Sequence, residues 1–183
     1  MDYFLNDKKT FLAKLDKSKK GDIDEKILPL IKLINSQPNY YTTSSCSGRV
    51  YFWRGSGKKN ENEWINVNHD LIDDSFFELE NKSGLVWLRL EPMILHIACK
   101  DLDSANLLLE KIRILYKKSC ILSASHKIII EIRGSEMIEM PFYENGKLLF
   151  NGERDWLIGL INEKMSKIWK GIEKLEKEII SLS

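Results

Sequence analysis

The stretch Thr42-Thr43-Ser44-Ser45-Cys46-Ser47-Gly48-Arg49 constrains the fold more than any other. Tyr40 and Tyr41 precede it, and Val50, Tyr51, Phe52 and Trp53 follow. β-Branched and aromatic flanks predict a strand that enters, turns at Gly48 and leaves again. Short side chains leave backbone N–H groups open, and Gly48 permits positive φ or close approach. Arg49 adds a planar fork of donors suited to a carboxylate or phosphate. The run reads either as an anion cradle beside a thiol or as a hydroxyl-rich turn.

The rest of the chain supplies strands and helices in mixed order. Phe4, Leu5, Phe11, Leu12 and Leu15 predict a helix over residues 3–18. Asp22 or Asp24 is a candidate cap for a second helix reaching Asn35. Residues 64–69 alternate apolar and polar like a half-buried strand, and residues 70–82 suit a short helix. Val86, Leu88 and Leu90 form another alternation, broken at Pro92 and resumed over 93–99. Asp101 or Asp103 caps a helix with Leu102, Ala105, Leu108, Leu109, Ile112 and Leu115 on one side. Strands follow over 121–122, 127–133 and 137–140, the last two expected as a hairpin across Gly134-Ser135-Glu136. Residues 153–181 carry one long amphipathic pattern. The class is α+β: a mainly antiparallel sheet packed with helices, with a long C-terminal helix.

At 183 residues, 43% of them hydrophobic, the chain can bury a real core and is read as a single domain over 1–183. A net charge of +1 means that any nucleic-acid surface must be a local patch. Apolar runs are short, so no membrane association is expected, and no secretory pattern opens the chain. Three cysteines without a C-x-x-C pair argue against disulfides and a structural metal, and suit the cytoplasm.

Several side chains could carry chemistry. His69 ends a strand and suits a base or a phosphate partner; a surface histidine is the plainer alternative. His96 and Cys99 fall on opposite faces of one strand, so one of them is core. Glu91, before Pro92, could accept hydrogen bonds from an amine or from ribose hydroxyls. Arg133, ending a strand before a turn, could pair with Glu91 or hold phosphate. Cys46 beside Arg49 could be a reactive thiol. Trp53, Trp64 and Trp87 could stack a base or face a sulfonium, although strand aromatics are more often core. No G-x-G-x-x-G, P-loop or H-E-x-x-H is present, which does not support a dinucleotide-type site.

In order and spacing, these residues resemble the third protein of the tRNA-wybutosine pathway. The resemblance rests on Thr43-Ser44-Ser45-Cys46-Ser47-Gly48-Arg49, on Trp64 with His69, and on Leu90-Glu91-Pro92 followed by Leu95-His96-Ile97-Ala98-Cys99. It continues through Asp103-Ser104-Ala105, Ile132-Arg133 and Pro141. The chain departs from the family pattern at Ser119-Cys120-Ile121, where Ser-Gly-Ile is usual. The resemblance implies a non-Rossmann methyltransferase that uses S-adenosyl-L-methionine. Its substrate would be a demethylated wyosine-type guanosine beside the anticodon of phenylalanine tRNA, so the anticodon arm is the expected partner. It implies His69, then His96, as proton acceptors. Ser45, Cys46, Ser47, Gly48, Arg49 and Glu91 are implied at the cofactor, and Arg133, Trp64, Lys58 and Lys59 at the substrate. The alternative is a tRNA-binding module of the same pathway without catalysis.

Overall fold

A computed structural model describes residues 3–13, 23–55, 62–80 and 82–180. In chain order the elements are α1 (Tyr3–Leu12), α2 (Leu28–Ser36), β1 (Tyr40–Cys46), β2 (Arg49–Arg54), β3 (Glu63–Asn68), β4 (Leu85–Glu91), β5 (Ile94–Cys99), α3 (Leu102–Ile112), β6 (Cys120–Ala124), β7 (Ile128–Arg133), β8 (Ile138–Glu144), β9 (Lys147–Leu148) and α4 (Arg154–Ile180). Short 3-10 helices lie at Glu25–Ile27 and Asp74–Phe77. The strands form two sheets, ordered β1-β5-β7-β6 and β3-β2-β4-β8-β9, and every ladder is antiparallel. The expected α+β class with a long C-terminal helix is observed, without a parallel doubly wound sheet.

The chain divides into two compact units. One comprises residues 1–47, 93–135 and 169–183; the other comprises residues 48–92 and 136–168.

The four-stranded unit buries Leu95 and Ile97 of β5, Ile130 and Ile132 of β7, and Ala105, Leu108 and Ile112 of α3. Period-2 burial on the strands and 3.6-residue spacing on the helix produce these apolar faces. Each fully buried Leu or Ile contributes about 1.5–3 kcal/mol. Asp101 caps α3 by accepting from the Ser104 N–H at 2.7 Å. Asn35 ties α2 to β1, accepting from the Thr42 N–H at 2.8 Å. Tyr40 donates its hydroxyl to the Ser104 carbonyl at 2.9 Å, fixing β1 against α3.

In the five-stranded unit, Phe52 of β2 sits among Phe76, Phe77 and Phe142, with ring centroids 5.2, 5.8 and 5.3 Å away. Asn162 of α4 brackets Ile72, accepting its N–H at 2.9 Å and donating to its carbonyl at 2.8 Å. Asn145 (φ 49°) and Gly146 (φ 83°) make the tight turn between β8 and β9.

The structure departs from the sequence reading in four places. The strands flanking Gly48 do not form a hairpin, since β1 pairs with β5 whereas β2 pairs with β3 and β4. The turn instead carries the chain from one sheet to the other. Residues 128–140 are not a hairpin either; β7 pairs with β5 and β6, and β8 with β4. Among the described residues of 70–82, only Asp74–Phe77 is helical, because Asp73 caps a single turn at Ser75 and Asn66 donates to the Phe76 carbonyl. Asp24 makes no side-chain cap bond; its buried carboxylate accepts from Ser47 instead. Of the expected first helix, Tyr3–Leu12 is described, and residues 14–22 lie outside the described residues.

Candidate functional site

In the five-stranded unit, antiparallel register brings the candidate polar residues together. Arg49 of β2 lies directly opposite Glu91 of β4, and Tyr51 opposite Arg89. The Arg49 guanidinium donates through Nε and Nη2 to Glu91 Oε2, at 3.0 and 2.7 Å. Tyr51 donates its hydroxyl to Glu91 Oε1 at 2.8 Å. Arg89 approaches the same oxygen at 3.6 Å and pairs on its other side with Glu139 of β8. Burial raises the Glu91 pKa, but hydrogen bonding and charge from Arg49 outweigh it and hold Glu91 below its ordinary value. Burial first, and then Glu91, push the Tyr51 phenol up to about 12. Glu91 is therefore ionised and accepts only, while Tyr51 stays protonated and donates.

The face of Arg49 lies over the Trp64 ring at 4.1 Å, and Trp64 stacks on Tyr51 with centroids 5.1 Å apart. Trp64 is 45% exposed. Gly48 begins this unit with φ 101°, and a Cβ there would meet the Ile168 side chain at 3.2 Å. That conformation and that contact together require glycine. His69 follows the last residue of β3 and is half-buried.

In the four-stranded unit, Ser45 and Cys46 end β1 half-buried. Ser47 is fully buried, and its N–H and hydroxyl both donate to Asp24 Oδ2, at 2.8 and 3.0 Å. Its hydroxyl pins the turn. His96 of β5 faces Glu131 of β7 across the ladder, with Nε2 and Oε2 3.0 Å apart. A carboxylate can only accept, so the His96 Nε2–H donates to Glu131. Arg133 ends β7 exposed, and Cys99 is core. Lys58 and Lys59 lie outside the described residues.

Sequence reasoning selected Arg49 and Glu91 separately and offered Arg133 as a partner for Glu91; that place is taken by Arg49, which lies opposite Glu91 on the neighbouring strand. That reasoning also missed Tyr51, Arg89, Asp24 and Glu131. The available signal was Glu131 alternating with Ile130 and Ile132, a carboxylate on the polar side of an otherwise apolar strand.

The two antiparallel sheets and the Ser47-Gly48-Arg49 turn set the chain apart from the doubly wound nucleotide binders. Residues 6–181 match the family model described as Methyltransferase TYW3. A Xenopus laevis protein named tRNA wybutosine-synthesizing protein 3 homolog is 38% identical over 164 residues, which cover 84% of this chain and 65% of that protein. A Methanocaldococcus jannaschii protein named tRNA(Phe) 7-((3-amino-3-carboxypropyl)-4-demethylwyosine(37)-N(4))-methyltransferase is 37% identical over 174 residues, covering 90% of each chain. A solved structure of a protein from Pyrococcus horikoshii superposes with a TM-score of 0.85 at 33% identity, covering 96% of this chain and 95% of that one. The chain belongs to the TYW3 methyltransferase family.

Proposed function

We propose that this chain methylates N4 of a demethylated wyosine-type guanosine beside the anticodon of phenylalanine tRNA, with S-adenosyl-L-methionine as donor. The observation that carries the reading is family membership over residues 6–181, joined to relatives named for that reaction. In this reading residues 1–183 act as one catalytic domain.

The donor set suits such a cofactor, which offers a carboxylate, an ammonium, a ribose diol and a sulfonium. In the five-stranded unit, Arg49 spends Nε and Nη2 on Glu91 and retains Nη1 for an anion. Glu91, ionised, has lone pairs for hydroxyls or an amine. Gly48 lets the backbone approach closely, and Trp64 offers a partly exposed ring to the substrate base. In the four-stranded unit, Ser45 and Cys46 supply small polar groups at the cofactor, and Ser47 holds their turn in place. When bound, the cofactor supplies an electrophilic methyl group.

The protein must position the acceptor nitrogen in line and take its proton. His69 is the first candidate acceptor. His96 is the second, its ring oriented by the Nε2 contact to Glu131 at 3.0 Å. Arg133, Lys58 and Lys59 serve tRNA phosphates, with the anticodon arm as the bound element. No described helix is long and apolar enough to cross a membrane. The assignment to the cytoplasm belongs to this proposal as the place where tRNA is modified.

The test replaces His69 and His96 by Gln, one at a time. Single-turnover methyl transfer is followed on tRNA lacking the modification. Loss of transfer in His69→Gln, with cofactor and tRNA still bound, supports the proton role. Full activity in both variants contradicts it.

A further inference from the structure

In the five-stranded sheet, Trp64, Trp53 and Trp87 are register partners across the three adjacent strands β3, β2 and β4. Pro141 of β8 continues the row opposite Trp87. Four strands at this spacing carry an apolar band of about 14 Å. Three of the five tryptophans of the chain lie in it. Arginines cover the ring planes. Arg49 sits over Trp64 at 4.1 Å, and Arg89 over Trp53 at 4.7 Å. Trp53 and Trp87 stack with centroids 6.1 Å apart.

A core role explains only part of this face: Trp53 is 9% exposed and belongs to the core, whereas the Trp64 end of the row is open. The apolar core of the unit is on the opposite face, around Phe52. Trp64 is 45% exposed and Leu85 41% exposed. Two donors, Trp53 Nε1 and Arg89 Nε, are buried without an acceptor among the described residues. A buried unpaired donor is costly, and an incoming acceptor relieves that cost. The charges on the face cancel, with Arg49 against Glu91 and Arg89 against Glu139. A face of stacked rings suits flat, polarisable, uncharged rings with edge acceptors, which are unpaired nucleobases.

We infer that the open, Trp64 end of this tryptophan row is a stacking platform for unpaired RNA bases flanking the nucleotide to be modified, with the buried Trp53 and the half-buried Trp87 as its support. The inference rests on the reading that the chain acts on tRNA, and adds which face holds the loop and by what force.

The test titrates the full chain with a short single-stranded oligoribonucleotide and follows intrinsic tryptophan fluorescence. The same titration is run on Trp64→Ala, Trp87→Leu and, as a control, Trp156→Phe on α4. Methyl transfer to tRNA is assayed in parallel. The platform predicts saturable quenching, weakened roughly tenfold or more in Trp64→Ala and Trp87→Leu. Trp156→Phe should bind as the unaltered chain does, and duplex RNA should compete poorly. Circular dichroism identifies an unfolded variant; Trp64 then decides the matter, because it is the 45% exposed ring of the row. Unchanged affinity in folded Trp64→Ala overturns the platform while leaving the methyltransferase reading standing. A concentration-dependent dimer broken by Trp64→Ala assigns the face to a second copy of the chain and overturns it too. An unaltered chain that neither binds tRNA nor transfers methyl defeats the functional reading, and the platform with it.

Discussion

Arg49 and Glu91 show what one pair can do on a sheet. Each is about a quarter exposed, so their bond is stronger than that of a freely solvated surface pair. Arg49→Ala leaves Glu91 with Tyr51 and Arg89 only. Such a truncation costs about 1–3 kcal/mol of stability, read from the denaturant midpoint. Because the same guanidinium is proposed to hold an anion, methyl transfer should fall about a hundredfold or more. Normal turnover by folded Arg49→Ala would remove that role. The pH dependence has a defined sign at both ends. Glu91 has a folded pKa below its ordinary 4.5, so its contribution is present above that value and is lost as acid takes the pH through the folded pKa. Tyr51, Tyr116 and Cys99 are each pushed up to about 12, mainly by burial. Their contribution is complete below the unfolded values of 10.0 for tyrosine and 9.0 for cysteine. It declines as the pH rises from there toward 12. Thermal melts in that range should show a shallower alkaline fall in Tyr51→Phe. Glu91 was legible from its place before Pro92, and Arg49 from its glycine. Their pairing was not, because β4 pairs directly with β2 although β3 lies between them in the sequence.

At the scale of elements, helices were easier to read than strand partners. The Asp101 cap, the apolar side of α3 and the full length of α4 follow from local spacing and capping chemistry. Strand existence was likewise local, as in β4 and β5 around Pro92. Pairing was not, since residues 134–136 join strands of different sheets although the sequence there resembles a hairpin. The same holds at Gly48, where the turn chemistry was legible and its destination was not. Gly48→Ala would force a Cβ into the left-handed region and against Ile168. A loss of about 1–3 kcal/mol is expected, seen as a lower Tm. Asp101→Ala should cost about 1 kcal/mol through the lost cap and leave methyl transfer unaltered. An unchanged Tm in Gly48→Ala would mean that Gly48 is not strained as described.

At the scale of the molecule, the net charge of +1 leaves tRNA binding to local cations. Arg113, Lys117 and Lys118 are exposed within one short stretch after α3. If such groups meet phosphates, affinity should fall steeply and log-linearly with salt. Lys117→Glu with Lys118→Glu should flatten that slope, and an unchanged slope would place the phosphate contacts elsewhere. The class of fold was legible as α+β with a terminal helix, because composition and periodicity decide it. Its division between two sheets was not, because that division rests on long-range pairing that no local pattern encodes. The central claim is catalytic, and one measurement reaches it directly: transfer of labelled methyl from S-adenosyl-L-methionine to tRNA from a strain lacking this gene, against fully modified tRNA. Label in phenylalanine tRNA of the deficient strain only is the predicted result. No label, with the tRNA bound but no cofactor binding by calorimetry, would contradict the account and leave a tRNA-binding module in its place.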